Sequence, residues 1–315
     1  MPRLPLVLAA LTLFAGCRSG DAGPLRVDMG RRDPEPLLRF YLGAYLGPGG
    51  GDPFAAGIVA KDGDAFTVDP AALAAHLPDG APALDADADG TLTGEELTAF
   101  AQATYGTARA FPATLDALRA ETRYSEGFRL DTRGVMSVAR RHVYVPEANL
   151  RSALARYRAN GERIVYPAGT VFVGEHHLAD AGAPDETTVM RKRADGQWDF
   201  FVYGANGRLA DATHTAPRPL RSPTQCVGCH FGPRAFEPEK SFPAPAPPGP
   251  DGERAVYTDF RDEATTRFFD EHRKRSDRTL GLYATVYTAR LRAARAAGTI
   301  TPEDAALLGS LGMTE

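Results

Sequence analysis

Hydrophobic and polar positions alternate most regularly between Ile164 and Arg208, where "IVYPAGTVFVGEHHL", "TTVMRKR" and "QWDFFVYGANGR" are rich in β-branched and aromatic residues. A period of two suits a pleated strand. Ala168-Gly169, Asp195-Gly196 and Asn206-Gly207 supply turns between the segments, so the pattern predicts an antiparallel meander. Elsewhere the period lengthens. "DPEPLLRFYLGAYLG" predicts a helix with Asp33 as N-cap and Pro34 in its first turn, stopping near Gly47 before the loop "GPGGGDP". Further helices are expected over Ala71 to Leu77 and Gly94 to Thr104. Phe111 to Asn160 also reads as helical, most clearly in "PEANLRSALARYRANG", where Leu150, Leu154 and Tyr157 share a face and Gly161 closes the end. Near the C-terminus Leu280, Tyr283, Tyr287, Leu291 and Ala294 form a helical stripe that Gly298 ends. "TVDPAAL" and "TITPEDAAL" are two helix starts, each a Thr or Asp cap followed by Pro at the first helical position, and not a repeat.

Fold class follows as α+β. The expected organisation is a leader over 1–16, a tether over 17–32, a helical unit over 33–110, a β-rich unit over 111–260 and C-terminal helices over 261–315. The leader is the apolar run "LPLVLAALTLFAG", too short to span a bilayer as a helix and suited to a secretory signal. It ends in "FAGC". Small residues before Cys17 resemble the lipobox of bacterial lipoproteins, which implies acylation of Cys17, a lipid anchor in a membrane and exposure to the periplasm, with the outer membrane as the expected one.

Composition narrows the class further. The chain of 315 residues carries three cysteines, 43% hydrophobic and 24% charged residues and a formal charge of -4, which excludes a disulfide scaffold. A nucleic-acid partner is also excluded. Lysines stand only at Lys61, Lys192, Lys240 and Lys274, and the arginines are interleaved with acids, so no basic patch forms for phosphates.

Once Cys17 is assigned to a lipid, Cys226 and Cys229 remain, in "SPTQCVGCHFGP". A Cys-x-x-Cys-His run is the attachment signature of c-type haem: each thiol adds to one vinyl group, and the following His230 lies where its ring coordinates the iron. Export and covalent haem attachment support each other. A redox Cys-x-x-Cys belongs at a helix start within a βαβ unit, a zinc site needs a fourth ligand, and a disulfide across so short a span is strained. Together with "YPAGTVFVGEHH" and "TVMRKRADGQWDFFVYGANGR", the motif resembles the cytochrome P-460 family and its relative cytochrome c-prime-beta over roughly 164–232. That resemblance implies an antiparallel sheet beside one covalent haem c, His230 as proximal ligand and an open distal side for a small gaseous or nitrogenous ligand such as nitric oxide or hydroxylamine. Some members carry a lysine cross-linked to the porphyrin, and Lys192 is the candidate here.

Other residues near the motif have competing roles. Met190, His142, His176, His177 and His214 are candidates for a sixth ligand. His176 and His177 point to opposite faces of any strand that holds both. Trp198, Phe200 and Val202 share a face and are expected in the sheet core or under the haem. Arg221 and Arg234 flank the motif and suit haem propionates or the surface.

A second site stands apart. "DADADGTLTGEE", Asp85 to Glu96, matches the twelve-residue EF-hand loop: Asp85, Asp87 and Asp89 as side-chain ligands, Gly90 at the sharp turn, Thr91 through its carbonyl, Thr93 through water and Glu96 closing bidentately. Calcium is the expected ion, in a structural role. "KDGDAFTVDPAAL" is at most a degenerate second half, because Ala72 stands where an acid should close it. The expected function is an anchored monohaem cytochrome with a redox partner protein, acting on small nitrogen compounds or binding a gas. The alternatives are a six-coordinate electron-transfer cytochrome and a non-catalytic calcium-binding lipoprotein.

Overall fold

The computed structural model describes residues 23–30, 33–134, 137–179, 182–216, 219–231, 255–257, 262–272 and 278–314. The leader, Cys17, Arg234 and most of the proline-rich stretch lie outside these.

The N-terminal part contains a small sheet that the helical reading missed. Strand β1 (Leu25–Asp28) falls inside the expected tether, α1 (Glu35–Gly43) follows, and β2 (Val59–Asp62) and β3 (Ala65–Val68) form a hairpin. After α2 (Pro70–Ala74) come β4 (Thr91–Thr93) and α3 (Gly94–Ala108). The strand order is β2-β3-β1-β4, with β1 antiparallel to β3 and parallel to β4. Strands of three or four residues show too little alternation to be read singly; Leu25, Val68 and Leu92 declare themselves by packing into one core. The cap at Asp69 forms as expected, whereas α1 has Pro34 as its N-cap and no side-chain cap, with Asp33 one residue further out. Asp69 accepts from the backbone N–H groups of Ala71 and Ala72, and Asp33 accepts from that of Glu35.

After α4 (Leu115–Thr122) the chain enters β5 (Phe128–Gly134) and β6 (Ser137–Val145), so the helical reading of 111–160 is corrected there. Helix α5 (Glu147–Ala155) matches its prediction, with Leu150, Leu154 and Tyr157 buried and Gly161 at a φ of +67°. The meander forms as expected: β7 (Val171–His177), β8 (Glu186–Lys192), β9 (Trp198–Gly204) and the short β10 (Leu209–Ala210). Helix α6 (Thr224–Phe231), strand β11 (Ala255–Tyr257) and helices α7 (Glu263–His272), α8 (Arg278–Ala296) and α9 (Pro302–Ser310) complete the described chain. The larger sheet runs β10-β9-β8-β7-β6-β5-β11, every pairing antiparallel.

Alternation gives this sheet two different faces. One carries Phe172, Trp198, Phe200, Val143 and Val145 into the main core with α5, α7 and α8; Phe172 lies 5.1 Å from Tyr283 and Phe128 lies 5.4 Å from Tyr287, ring to ring. The other carries Val171, Val173, Val189, Phe201 and Tyr203 against Tyr105, Phe111, Leu115 and Leu118. The N-terminal residues share the first core rather than forming one of their own.

A buried charge cluster ties that N-terminal part to the sheet. Arg109, at the end of α3, donates to both oxygens of Asp199 at 2.8 and 3.0 Å, with neither side chain exposed. Its Nη1 donates to the carbonyls of Ala44 and Gly47, and Nη2 donates also to that of Pro48. Five donors thereby hold the turn after α1 on the sheet. Gly50, at a φ of +69°, sits against Asp195 and Arg193, where a Cβ would collide with both side chains. Among the described residues no helix is long and apolar enough to cross a membrane.

Candidate functional site

The Cys-x-x-Cys-His run lies on one helix, α6. Helical spacing at 3.6 residues per turn sets Cys226, Cys229 and His230 on neighbouring positions of one side, three and four residues apart. The start of α6 is fixed from two directions. Ser222 donates its hydroxyl to the Phe200 carbonyl of β9 at 2.8 Å, and Gln102 of α3 donates to the Ser222 carbonyl at 3.0 Å while accepting from the Thr224 hydroxyl at 3.2 Å. Val227 is buried and Cys226 half-buried against the main core. Burial pushes the phenol of Tyr41 upward, with the Cys226 thiol alongside as a lesser cause. The side chains of Cys229 and His230 lie outside the described residues, as does Arg234; Arg221 is exposed at an isolated bridge to Ala212.

Lys192 shares a face with Trp198, its ammonium 4.9 Å from the indole centroid and donating to the Gly196 carbonyl. Met190 is half-buried against the same core as Phe172, Trp198 and Phe200. Val189 packs in the opposite core, and Arg191 reaches Asp199 on that side.

The histidines separate clearly. His176 and His177 do point to opposite faces. His176 is buried with both ring nitrogens engaged, Nε2 with Thr188 at 3.0 Å and Nδ1 with Thr215 at 3.1 Å. Burial first, then the charges of Arg141, His177 and His214, hold its pKa well below the ordinary value. Beside it the buried Glu186 accepts from the Thr215 hydroxyl and lies 3.1 Å from His214 Nδ1. His142 and His177 sit on the other face with Glu175, away from Trp198, Phe200 and Met190. That grouping was invisible in sequence, because β6 had been read as helical.

In the loop 85–96 the structure assembles Asp85, Asp87 and Asp89, with one carboxylate oxygen of each within 4.8 Å of the others. Gly90 turns the chain at a φ of +81° and its N–H donates to Asp85 Oδ2 at 2.9 Å. Asp85 Oδ1 is buried and has no hydrogen-bond partner among the described residues. The Thr91 N–H donates to Asp89 Oδ1 at 2.7 Å, and β4 begins at that residue. Glu96 closes the loop differently from a bidentate ligand: it forms a capping box with Thr93 and accepts the Ala86 N–H at 2.9 Å. The Asp89 N–H lowers the Asp87 pKa, but desolvation and the charges of Asp89 and Glu96 outweigh it and leave the group raised.

No known family's sequence profile matches the chain, and no curated protein is similar to it.

Proposed function

We propose that the chain is a lipid-anchored, periplasm-facing monohaem c-type cytochrome resembling cytochrome P-460, with a structural calcium site in its N-terminal part. The observation that carries the reading is the placement of Cys226, Cys229 and His230 on one helix braced by α3 and β9. The half-buried Cys226 against Tyr41 and the main core fits a thioether on an apolar cofactor. Cys226 and Cys229 would hold the porphyrin, and His230 would supply a ring nitrogen to the metal. When bound, haem c supplies electron transfer or small-ligand binding at iron. Lys192 is the candidate for a lysine link, which requires its amine to leave the Trp198 ring and the Gly196 carbonyl.

Substrate class rests on the resemblance alone: oxidation of hydroxylamine-like nitrogen compounds, or binding of nitric oxide, with electrons passed to a redox partner protein. The electron-transfer alternative has one observation in its favour. Met190 lies on the sheet face that packs with Trp198 and Phe200, whereas His176 is committed to Thr188 and Thr215. An absorption spectrum of protein matured with haem, reduced and exposed to carbon monoxide, separates the two: a shifted spectrum means an open position, an unchanged one a sixth protein ligand. The orphaned Asp85 Oδ1 and the turn at Gly90 support calcium at Asp85, Asp87, Asp89 and the Thr91 carbonyl, with Glu96 joining once it leaves its cap. Because that loop leads into α3, which also bears Gln102, the ion would steady the helix that braces α6.

A further inference from the structure

Strand pairing brings a row of polar side chains across the sheet face opposite Trp198. Asp131 of β5 is in register with His142 of β6, His142 with Glu175 of β7, and Glu175 with Thr187 of β8; His177 lies two residues beyond Glu175, on the same face. Donor atoms of His142, Glu175 and His177 all lie within 4.8 Å of one another. His177 Nε2 is 3.9 Å from Glu175 Oε2, and the two imidazole rings are 4.7 Å apart.

We propose that His142, Glu175 and His177 form a binding site for a first-row divalent cation of the zinc type. Two imidazoles and one carboxylate are the donor set such ions take, and calcium does not, since it wants oxygens. An ion at ordinary bond lengths needs its donors roughly 3.3 Å apart, so the three side chains have only to close inward by about an ångström.

The surroundings favour an ion over a mutual hydrogen-bond cluster. Asp131 Oδ1 pairs with Arg129 Nε at 3.1 Å, but His177 Nε2 and Thr187 Oγ1 are buried and have no hydrogen-bond partner among the described residues. Leaving such groups unsatisfied costs about 1–3 kcal/mol each, which a ligand at the centre of the row would offset. Glu175 is oriented in advance. Its Oε1 accepts from the Tyr124 hydroxyl at 2.7 Å and from Arg119 at 3.1 Å, leaving Oε2 toward His177. Asp131 Oδ1 faces His142 Nε2 at 3.7 Å, and Arg140 holds the other oxygen at 2.8 Å. A tautomer with Nε2–H toward Asp131 leaves the Nδ1 lone pair for the ion, the usual role of a carboxylate behind a ligating histidine.

A cleft of about 570 Å³ opens onto Glu175 and His177, with Arg119, Arg208 and Asn206 on its walls. An ion here would be reached from solvent and would keep a coordination position toward that cleft.

The site does not depend on haem or on the calcium loop, and its test separates it from both. The full-length exported protein, saturated with calcium, is equilibrated with zinc, and bound zinc is measured by elemental analysis. Wild type and Asp85→Asn are expected to hold one equivalent, and His177→Gln and Glu175→Gln to lose it. Asp131→Asn is expected to weaken binding about 10- to 100-fold. Zinc retained by both site variants, or absent from wild type, overturns the proposal. Should a variant fail to fold, anomalous scattering at the zinc edge from wild-type crystals decides: a peak among the three side chains upholds the site, and its absence there refutes it.

Discussion

Asp199 sits at the centre of the buried charge cluster. Its two oxygens take Arg109 Nε at 2.8 Å, Arg109 Nη2 at 3.0 Å, the Tyr105 hydroxyl at 2.9 Å and two nitrogens of Arg191 at 3.2 and 3.3 Å. Asp199→Asn keeps the shape and removes the charge. One oxygen becomes an NH₂ group facing guanidinium or phenol, and Arg109 is left buried with no counter-charge of its own. Breaking a buried pair from one side costs about 3–5 kcal/mol, mostly the penalty on the stranded partner. For a chain of this size that corresponds to roughly 5–8 °C in melting temperature. The effect should also loosen the turn at Ala44 to Pro48, which Arg109 holds through three carbonyls. Glu126→Gln is the control: its pair with Arg123 is exposed on both sides and is worth less than about 1 kcal/mol. Urea and thermal unfolding of both variants measure the difference. If Asp199→Asn costs no more than Glu126→Gln, the idea that this cluster pins the N-terminal part to the sheet is wrong.

Acid should destabilise the fold through His272. This side chain is fully buried on α7 beside Thr285, and desolvation lowers its pKa from 6.5 to about 4. Above pH 6.5 the ring is neutral in both states; below it the unfolded chain takes up a proton that the folded one refuses. Stability is therefore lost between about pH 6.5 and pH 4, by about 3 kcal/mol in all, and a melting curve of His272→Gln over that range should be flatter than wild type. An equal slope in the two proteins would count against it. Calcium should raise the wild-type melting temperature by a free energy of about 2.7 kcal/mol at a hundredfold excess over its dissociation constant, and Asp85→Asn should show no rise. A rise of equal size in both would place calcium elsewhere.

Legibility in the sequence tracked how strongly one face of each element was buried. Strands β7 to β9 were readable because Val171, Val173, Phe200 and Val202 alternate between glycine turns, and α8 because its stripe repeats over about four turns. Strands β5 and β6 were not, since one side of each is set with Arg129, Asp131, Arg140 and His142, and charged residues in that number imitate a solvated helix face. That misreading also hid the cluster around Glu175, which exists only through strand register. Strand β1 was missed for another reason: its four residues owe their conformation to β3 and β4. The two motifs, by contrast, are legible as patterns because each lies within one loop or one helix.

The most direct test is the intact mass and visible spectrum of the exported chain, produced with haem-maturation machinery and denatured before measurement. Haem that stays attached at one equivalent per chain, and is lost in a Cys226→Ser, Cys229→Ser double variant, is the result this account predicts. A wild-type chain that emerges at its bare polypeptide mass, colourless under the same conditions, would contradict it.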